Sequence, residues 1–145
     1  MLYEKAVQYA EDVITGKEMA TKEVATQCEW FLRDMQKERE SGYPYYFDKE
    51  VAGRFEGLLK LMNFATGIGT IGKSIYEGLA GFQAFFLANV FCWRHKEEKN
   101  EYRYREVVLF IPRKNSKTFL CAVILVVLML TEDDYSEFYS ICLDR

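Results

Sequence analysis

The chain has 145 residues, a formal net charge of −3 at pH 7, and hydrophobic residues at 50% of its positions. This length fits one domain or part of a larger one, and the apolar content excludes a disordered chain. Because there is no basic excess, contact with nucleic acid would need a local basic patch or a further segment. Four cysteines lie far apart and form no C-x-x-C pair, so we expect reduced thiols rather than a zinc site or a disulfide framework. They are Cys28, Cys92, Cys121 and Cys142.

Three amphipathic helices are predicted in the first half of the chain. Apolar residues recur at helical spacing over residues 2–14, and Gly16 follows as a stop signal. A second stripe covers residues 24–35. Asp48 is placed to cap a third helix, whose apolar stripe covers residues 51–62. The aromatic stretch YPYYFDKE before that helix is predicted to pack locally onto the helices.

A glycine-rich loop is predicted over residues 63–81. Within it, GIGTIGKS (Gly67–Ser74) matches the phosphate-loop pattern G-x-x-x-x-G-K-[ST] in every defined position. A phosphate loop, however, follows a buried strand and opens a helix, and the residues before Gly67 have helical periodicity. Two further glycines after Ser74 disfavour a long helix there. We therefore interpret this loop as a linker, with nucleotide binding through Lys73 as the alternative.

A buried aromatic helix is predicted over residues 82–93, followed by a charged, exposed connection over 94–105 that contains a solvated His95. The texture then changes. EVVLFI (residues 106–111) predicts a buried strand, and the apolar run from Lys117 to Leu130 predicts a buried helix, since a dozen apolar residues are too few to span a membrane. EFYSICL (residues 137–143) is a second strand candidate. Strand, loop, helix and strand make one βαβ unit.

The loop of this βαβ unit, IPRKNSKT, has the context that a phosphate loop needs. A predicted strand leads into it and a predicted helix leaves it at Lys117 and Thr118. Ser116 departs from the pattern, because glycine at this position normally lets the backbone approach a phosphate closely. A Cβ and a hydroxyl there are expected to crowd the phosphate. The alternative is an ordinary polar turn between strand and helix.

This loop and its surroundings resemble the ATPase domain of the large terminase subunit of tailed bacteriophages. That family's phosphate loop typically reads P-R-K-N-G-K-[ST], which PRKNSKT matches except at Ser116. The family also has an aromatic residue and a glutamine in the helix before the strand, matched by Phe82 and Gln83. The stretch YYFDKE and the first two helices are similar to its N-terminal leader. The resemblance covers nearly the whole chain.

The resemblance implies an α/β protein in which a helical N-terminal segment precedes the first, incomplete βαβ unit of a P-loop NTPase core. The helical segment would cover residues 1–75 and the core would cover residues 76–145. It further implies that Lys117 holds the β- and γ-phosphates of ATP and that Thr118 binds Mg²⁺. Arg113 would approach the γ-phosphate as an arginine finger, with capping or solvation as the alternatives for Gln83 and for the loop cations. Gln83 would recognise adenine; the full nucleotide-binding set is Gln83, Arg113, Lys114, Asn115, Ser116, Lys117 and Thr118.

The acidic strand that ATP hydrolysis requires is expected beyond residue 145, and the family's nuclease domain beyond that. Glu132, Asp133 and Asp134 imitate its ending but come too early, so a solvated turn is predicted there. The chain therefore looks like the front portion of an oligomeric DNA-packaging motor of the bacterial cytoplasm, and we expect weak ATPase activity or none from it alone. Double-stranded DNA, a portal protein and a small terminase subunit are the implied partners. The non-enzymatic alternative is an inactive remnant or helical interaction module with a degenerate loop.

Overall fold

The structure, a computed structural model, describes residues 1–65, 67, 69–98, 101–132 and 135–141. Within these residues the chain forms six helices and one two-stranded antiparallel sheet, so the expected mixture of helix and strand is confirmed. The elements are α1 (Leu2–Ile14), α2 (Lys22–Lys37), β1 (Tyr45–Phe47), α3 (Lys49–Leu61), α4 (Ile75–Gly78), α5 (Gly81–Phe91), β2 (Trp93–His95) and α6 (Lys117–Thr131). The chain divides into two compact units, Met1–Val108 and Leu109–Arg145. The predicted division at residue 75 concerns a longer ATPase and stays a prediction.

The three predicted N-terminal helices are confirmed, and their starts follow from local chemistry. The Thr21 hydroxyl caps α2 by accepting a hydrogen bond from the Val24 N–H at 3.4 Å. The Asp48 carboxylate caps α3 more fully, accepting from the N–H groups of Glu50 at 2.9 Å and Val51 at 3.0 Å. Each helix buries its apolar stripe, which local periodicity had indicated.

The two-stranded sheet is a feature that local periodicity missed. The predicted aromatic turn contains β1, and the predicted fourth helix ends at Phe91 rather than at Trp93, because Trp93 begins β2. The register places Phe47 opposite Trp93 and Tyr45 opposite His95. Strand pairing between residues so far apart in sequence is decided by tertiary contact, not by the local pattern. His95 is half-buried, with its ring centroid 4.8 Å from that of Tyr45, so the prediction that it is solvated is wrong.

An aromatic cluster joins this sheet to the helices of the first unit. The Phe31 ring of α2 meets the rings of Phe47, Phe85 and Trp93 edge-on, with centroid distances of 6.1, 5.4 and 6.2 Å. Phe47 and Trp93 are themselves 5.5 Å apart in an edge-on arrangement. Such edge-to-face pairs add stabilisation beyond the area that they bury. The core of the first unit is therefore centred on α2, α5 and both strands.

A buried ion pair lies next to this cluster. The Asp34 side chain is 2% exposed, and its carboxylate accepts a 2.6 Å hydrogen bond from the Arg103 guanidinium. The half-exposed Arg33 guanidinium donates two further bonds of 3.1 Å to the other carboxylate oxygen. The Arg103 guanidinium also packs 4.7 Å from the centroid of the Tyr45 ring and 5.3 Å from that of Trp93.

The predicted exposure of residues 94–105 is therefore wrong for two arginines. Arg94 is 7% exposed and donates a 2.9 Å hydrogen bond to the Phe91 carbonyl, while its guanidinium lies 3.7 Å from the Tyr102 ring centroid. Arg103 is largely buried against Asp34. Both charges are accommodated because their donors meet oxygen atoms and aromatic faces, a pairing that charge patterning along the sequence does not reveal.

The sheet is attached to the end of α2 by two further contacts. The Lys96 ammonium donates to the carbonyls of Glu38 at 2.8 Å and Glu40 at 3.1 Å. The Phe47 N–H donates to the Glu38 carboxylate at 3.0 Å. A lysine at the end of a helix satisfies carbonyls that have no partner within the helix and complements the negative end of its dipole. The position of the sheet is thus fixed by polar contacts as well as by the aromatic cluster.

In the second unit the predicted helix is confirmed and the predicted strands are wrong. α6 spans Lys117–Thr131, but residues 106–111 and the described part of the second strand candidate, 137–141, form no strand. Strands require hydrogen-bonding partners, and the described part of the chain supplies none to either segment. The expectation that 106–111 is buried also fails, since Val108 is 90% exposed and Phe110 is 95% exposed. Glu132 is half-buried, whereas the calls on Asp133, Asp134 and Cys142 lie outside the described residues.

α6 is only partly buried, in contrast to the prediction of a buried helix. Leu120, Val123 and Val127 form its buried stripe, and Met129 and Leu130 are more than half exposed. None of the helices in the described residues combines the length and the apolar character needed to cross a bilayer. The apolar run is therefore an amphipathic element whose second face is open in this structure.

The Asp34 ion pair generates a stability prediction. We expect Asp34→Asn to lower the free energy of unfolding by about 3 kcal/mol, because the Arg103 charge would stay buried without its counter-charge. Urea denaturation followed by circular dichroism measures this change. Glu101→Gln is the matched control, since it breaks the exposed pair with Arg105 and should cost less than about 1 kcal/mol. Equal losses in the two variants would contradict a special role for Asp34.

The same carboxylate predicts a pH dependence. Burial raises the pKa of Asp34, but hydrogen bonds and charge from Arg103, with help from Tyr43 and Arg33, outweigh it, so the pKa lies below its usual value. The resulting stability is present above the unfolded pKa of about 3.9 and is lost as pH falls through the lower folded pKa. Unfolding measured between pH 7 and pH 2 should show this acid loss, and Asp34→Asn should flatten it. An unchanged acid profile in the variant would refute the assignment.

Candidate functional site

The loop that precedes α6 has an alternating backbone. Among the described non-glycine residues, positive φ occurs at Lys114 (69°), Ser116 (54°) and Tyr135, so the left-handed residues Lys114 and Ser116 flank Asn115, whose φ is not positive. Alternation between right-handed and left-handed residues turns successive N–H groups toward one side and forms an anion-binding concavity. The side chains from Arg113 to Thr118 are all exposed. The geometry therefore suits an anion that approaches from solvent.

The start of α6 adds a second source of positive potential. Ser116 is the N-cap residue, and its carbonyl accepts the first helical hydrogen bond from the Leu120 N–H at 2.9 Å. Within the described residues, the Ser116 hydroxyl caps no N–H group of the helix. The first N–H groups of α6 thus point out of the helix end beside Lys117, where the helix dipole favours negative charge. Thr118 follows directly on the first turn.

Ser116 stands in a conformation that normally selects glycine. Its φ of 54° and ψ of 28° lie in the left-handed region, which costs a residue with a Cβ about 1 kcal/mol relative to glycine. The sequence analysis expected glycine here because of crowding against a phosphate. The structure supplies a separate reason, which lies in the backbone itself. Lys114 was not expected to be left-handed, because lysine carries no sequence signal for that conformation.

Gln83 lies in the first unit, whereas the residues from Arg113 to Thr118 lie in the second. Gln83 is 7% exposed on α5, and its side-chain oxygen accepts the Ala80 N–H at 3.0 Å. This is the capping role that was one of the two alternatives for Gln83. An amide oxygen has two lone pairs, so the contact leaves one acceptor site on this atom.

A groove of about 530 Å³ opens just ahead of Gln83, between α1 and the start of α5. Its wall includes Leu79 and Phe82 together with the charged side chains of Lys5 and Asp12. Gly81 lies directly against Tyr9, because a Cβ at residue 81 would be 2.9 Å from a carbon of the Tyr9 ring. The missing side chain at this glycine therefore lets α1 and α5 approach closely beside the groove.

The other candidate loop, Gly67–Ser74, has a different architecture. It follows α3, and a bridge between Asn63 and Ser74 closes it, with the Phe64 N–H donating to the Lys73 carbonyl at 3.0 Å. The Ser74 hydroxyl donates to the Glu77 carboxylate at 3.0 Å and caps the four-residue α4. A helix before the loop and a short capped turn after it confirm the prediction that this segment is a loop outside a strand-to-helix context.

Other chemistry finds little support in the described residues. They contain no group of three or more histidine, cysteine, aspartate or glutamate side chains placed to hold a metal ion. Burial raises the pKa of the Cys28 thiol to about 11 and that of Cys92 to about 12, so both thiols are protonated at neutral pH. Protonated, buried thiols are poor nucleophiles. The loop before α6 is therefore the strongest candidate site.

The left-handed Ser116 predicts a stabilising substitution. Ser116→Gly should raise the helicity and the thermal stability of the α6 region, by about 1 kcal/mol, because glycine adopts positive φ without the cost of a Cβ. Hydrogen exchange of the first amides of α6 measures this directly. Asn115→Gly is the matched control, since its φ is not positive and the glycine should lower protection there. Faster exchange in Ser116→Gly would argue against the left-handed conformation.

The turn before α6 and the start of α5 carry the functional argument by themselves. No family model, no curated protein and no solved structure matches this chain.

Proposed function

We propose that this chain is the ATP-binding front portion of a large terminase subunit, the motor that packages DNA into a phage capsid. The observation that carries the proposal is the turn PRKNSKT, in which left-handed residues alternate ahead of a helix that begins at Lys117. A phosphate loop combines these two features, a nest of N–H groups and a helix N-terminus. The sequence similarity and the backbone geometry are independent supports, because neither was derived from the other.

The residues of the turn fit a triphosphate. Lys117 and Arg113 are exposed cations within one short turn, and the free N–H groups of α6 lie beside Lys117. Lys117 would hold the β- and γ-phosphates, with Arg113 reaching the γ-phosphate. Thr118 would place its hydroxyl on a Mg²⁺ ion that accompanies the nucleotide. When bound, the ion would neutralise part of the phosphate charge.

The lining role proposed for Lys114, Asn115 and Ser116 is one of backbone rather than side chain. Their N–H groups would surround the phosphates, so the side chains are free to vary as long as the backbone can take the required φ. Ser116 is the least favourable member, for the conformational reason given above and because its Cβ is close to the bound anion in this arrangement. ATP affinity is therefore expected to be weaker than in a loop with glycine at this position.

Adenine recognition would belong to Gln83. Its amide can donate to N7 and accept from the N6 amino group, a pairing that distinguishes adenine from guanine. The acceptor site that remains beside the Ala80 contact allows this pairing to coexist with capping. The proposed partners of the whole motor are double-stranded DNA, a portal protein and a small terminase subunit, in the cytoplasm of a bacterial host.

Mutation of the two candidate lysines tests the proposal. We expect Lys117→Ala to weaken binding of Mg·ATP roughly 10- to 100-fold, the loss typical of a charge-assisted hydrogen bond, in titration calorimetry. Lys73→Ala is the matched control and should bind like the unmodified chain. Dependence on Lys73 alone would move the site to Gly67–Ser74. Absence of binding in the unmodified chain and in Ser116→Gly would favour the non-enzymatic interaction module instead.

A further inference from the structure

The segment Glu106–Arg113 exposes apolar side chains with the alternation of a β-strand. Val108 is 90% exposed and Phe110 is 95% exposed, whereas Leu109 and Ile111 between and after them are half-buried. Period-two alternation is the pattern of a strand with one open face. Valine, isoleucine and phenylalanine are also the residues that pleated sheets favour.

The backbone of this segment is open to pairing. Residues 106–111 form no strand in the described part of the chain, and no backbone hydrogen bond from these residues to another described residue is found. An exposed apolar segment with unpaired N–H and C=O groups is a template for another strand. Five consecutive apolar residues, from Val107 to Ile111, are long enough for a typical strand.

The charges at the two ends of the segment are of opposite sign. Glu106 stands at the beginning, and the adjacent Arg105 is already paired with Glu101 at 2.8 Å, which leaves this end acidic. Arg113 and Lys114 stand at the other end, and both are exposed. A parallel, in-register pair of two copies would oppose like charges at both ends, whereas an antiparallel pair brings each acidic end to a basic end.

We propose that this segment is a self-association surface, which pairs antiparallel with the same segment of a second copy of the chain. A two-fold axis at Phe110 places the two Phe110 rings on one face as a cross-strand aromatic pair. Glu106 of each copy then lies at the level of Lys114 of the other. Lys114 is past the end of the ladder, so its left-handed backbone does not interrupt the pairing.

Reciprocal charge reversal tests this surface. Sedimentation of the full 145-residue chain, without nucleotide, should show concentration-dependent association. Glu106→Lys and Lys114→Glu should each weaken association about tenfold, since either change places like charges together at both ends of the pair. The double variant should restore association to within about twofold. Phe110→Lys should abolish it.

Leu61→Lys is the matched control, because Leu61 is 80% exposed and lies outside the segment. It should associate like the unmodified chain. Circular dichroism verifies that each variant keeps its helices, as expected for exposed positions. A chain that stays monomeric at several hundred micromolar, or association that the double variant does not restore, would overturn the proposal. Because ATP is absent from the assay, the result is independent of whether the turn before α6 binds nucleotide.

Discussion

The buried carboxylate of Asp34 is the constraint on which the first unit depends. It lies on α2, yet its main partner, Arg103, comes from a segment nearly seventy residues later in the chain. A carboxylate that is 2% exposed is stable as an anion only with a counter-charge and hydrogen bonds. The pair therefore requires the segment around Arg103 to return to α2, and the sheet between them is positioned by that return.

The hydrophobic and polar contacts of this unit reinforce one another. Arg103 packs over Trp93 of β2, while Trp93 meets Phe31 of α2 edge-on. The backbone continues the same connection, because the Arg103 N–H donates to the Trp93 carbonyl at 3.1 Å. A sheet of only two short strands is marginal by itself and needs packing against other elements. Here α2 and α5 supply that packing, so the strands, the ion pair and the aromatic cluster are expected to form together.

The second unit shows how strongly a strand depends on its partners. The apolar run before Pro112 has every local property of a strand, yet it is exposed and unpaired in the described chain. α6 forms nonetheless, because helical hydrogen bonds are local to the segment. The turn between them keeps its alternating backbone at Lys114 and Ser116. The geometry proposed for phosphate binding thus belongs to the turn and the helix start, and it does not require the preceding strand.

The sequence by itself determined the helices and the candidate turn, since periodicity, capping by Thr21 and Asp48, and the spelling of PRKNSKT all act over a few residues. It also indicated Ser116 as the unusual position. Tertiary structure alone decided the sheet, the burial of Arg103 against Asp34 and the absence of a strand at residues 106–111. The physical reason is the same in each case: a strand or a buried charge is stabilised by a partner far away in sequence, and no local pattern identifies that partner.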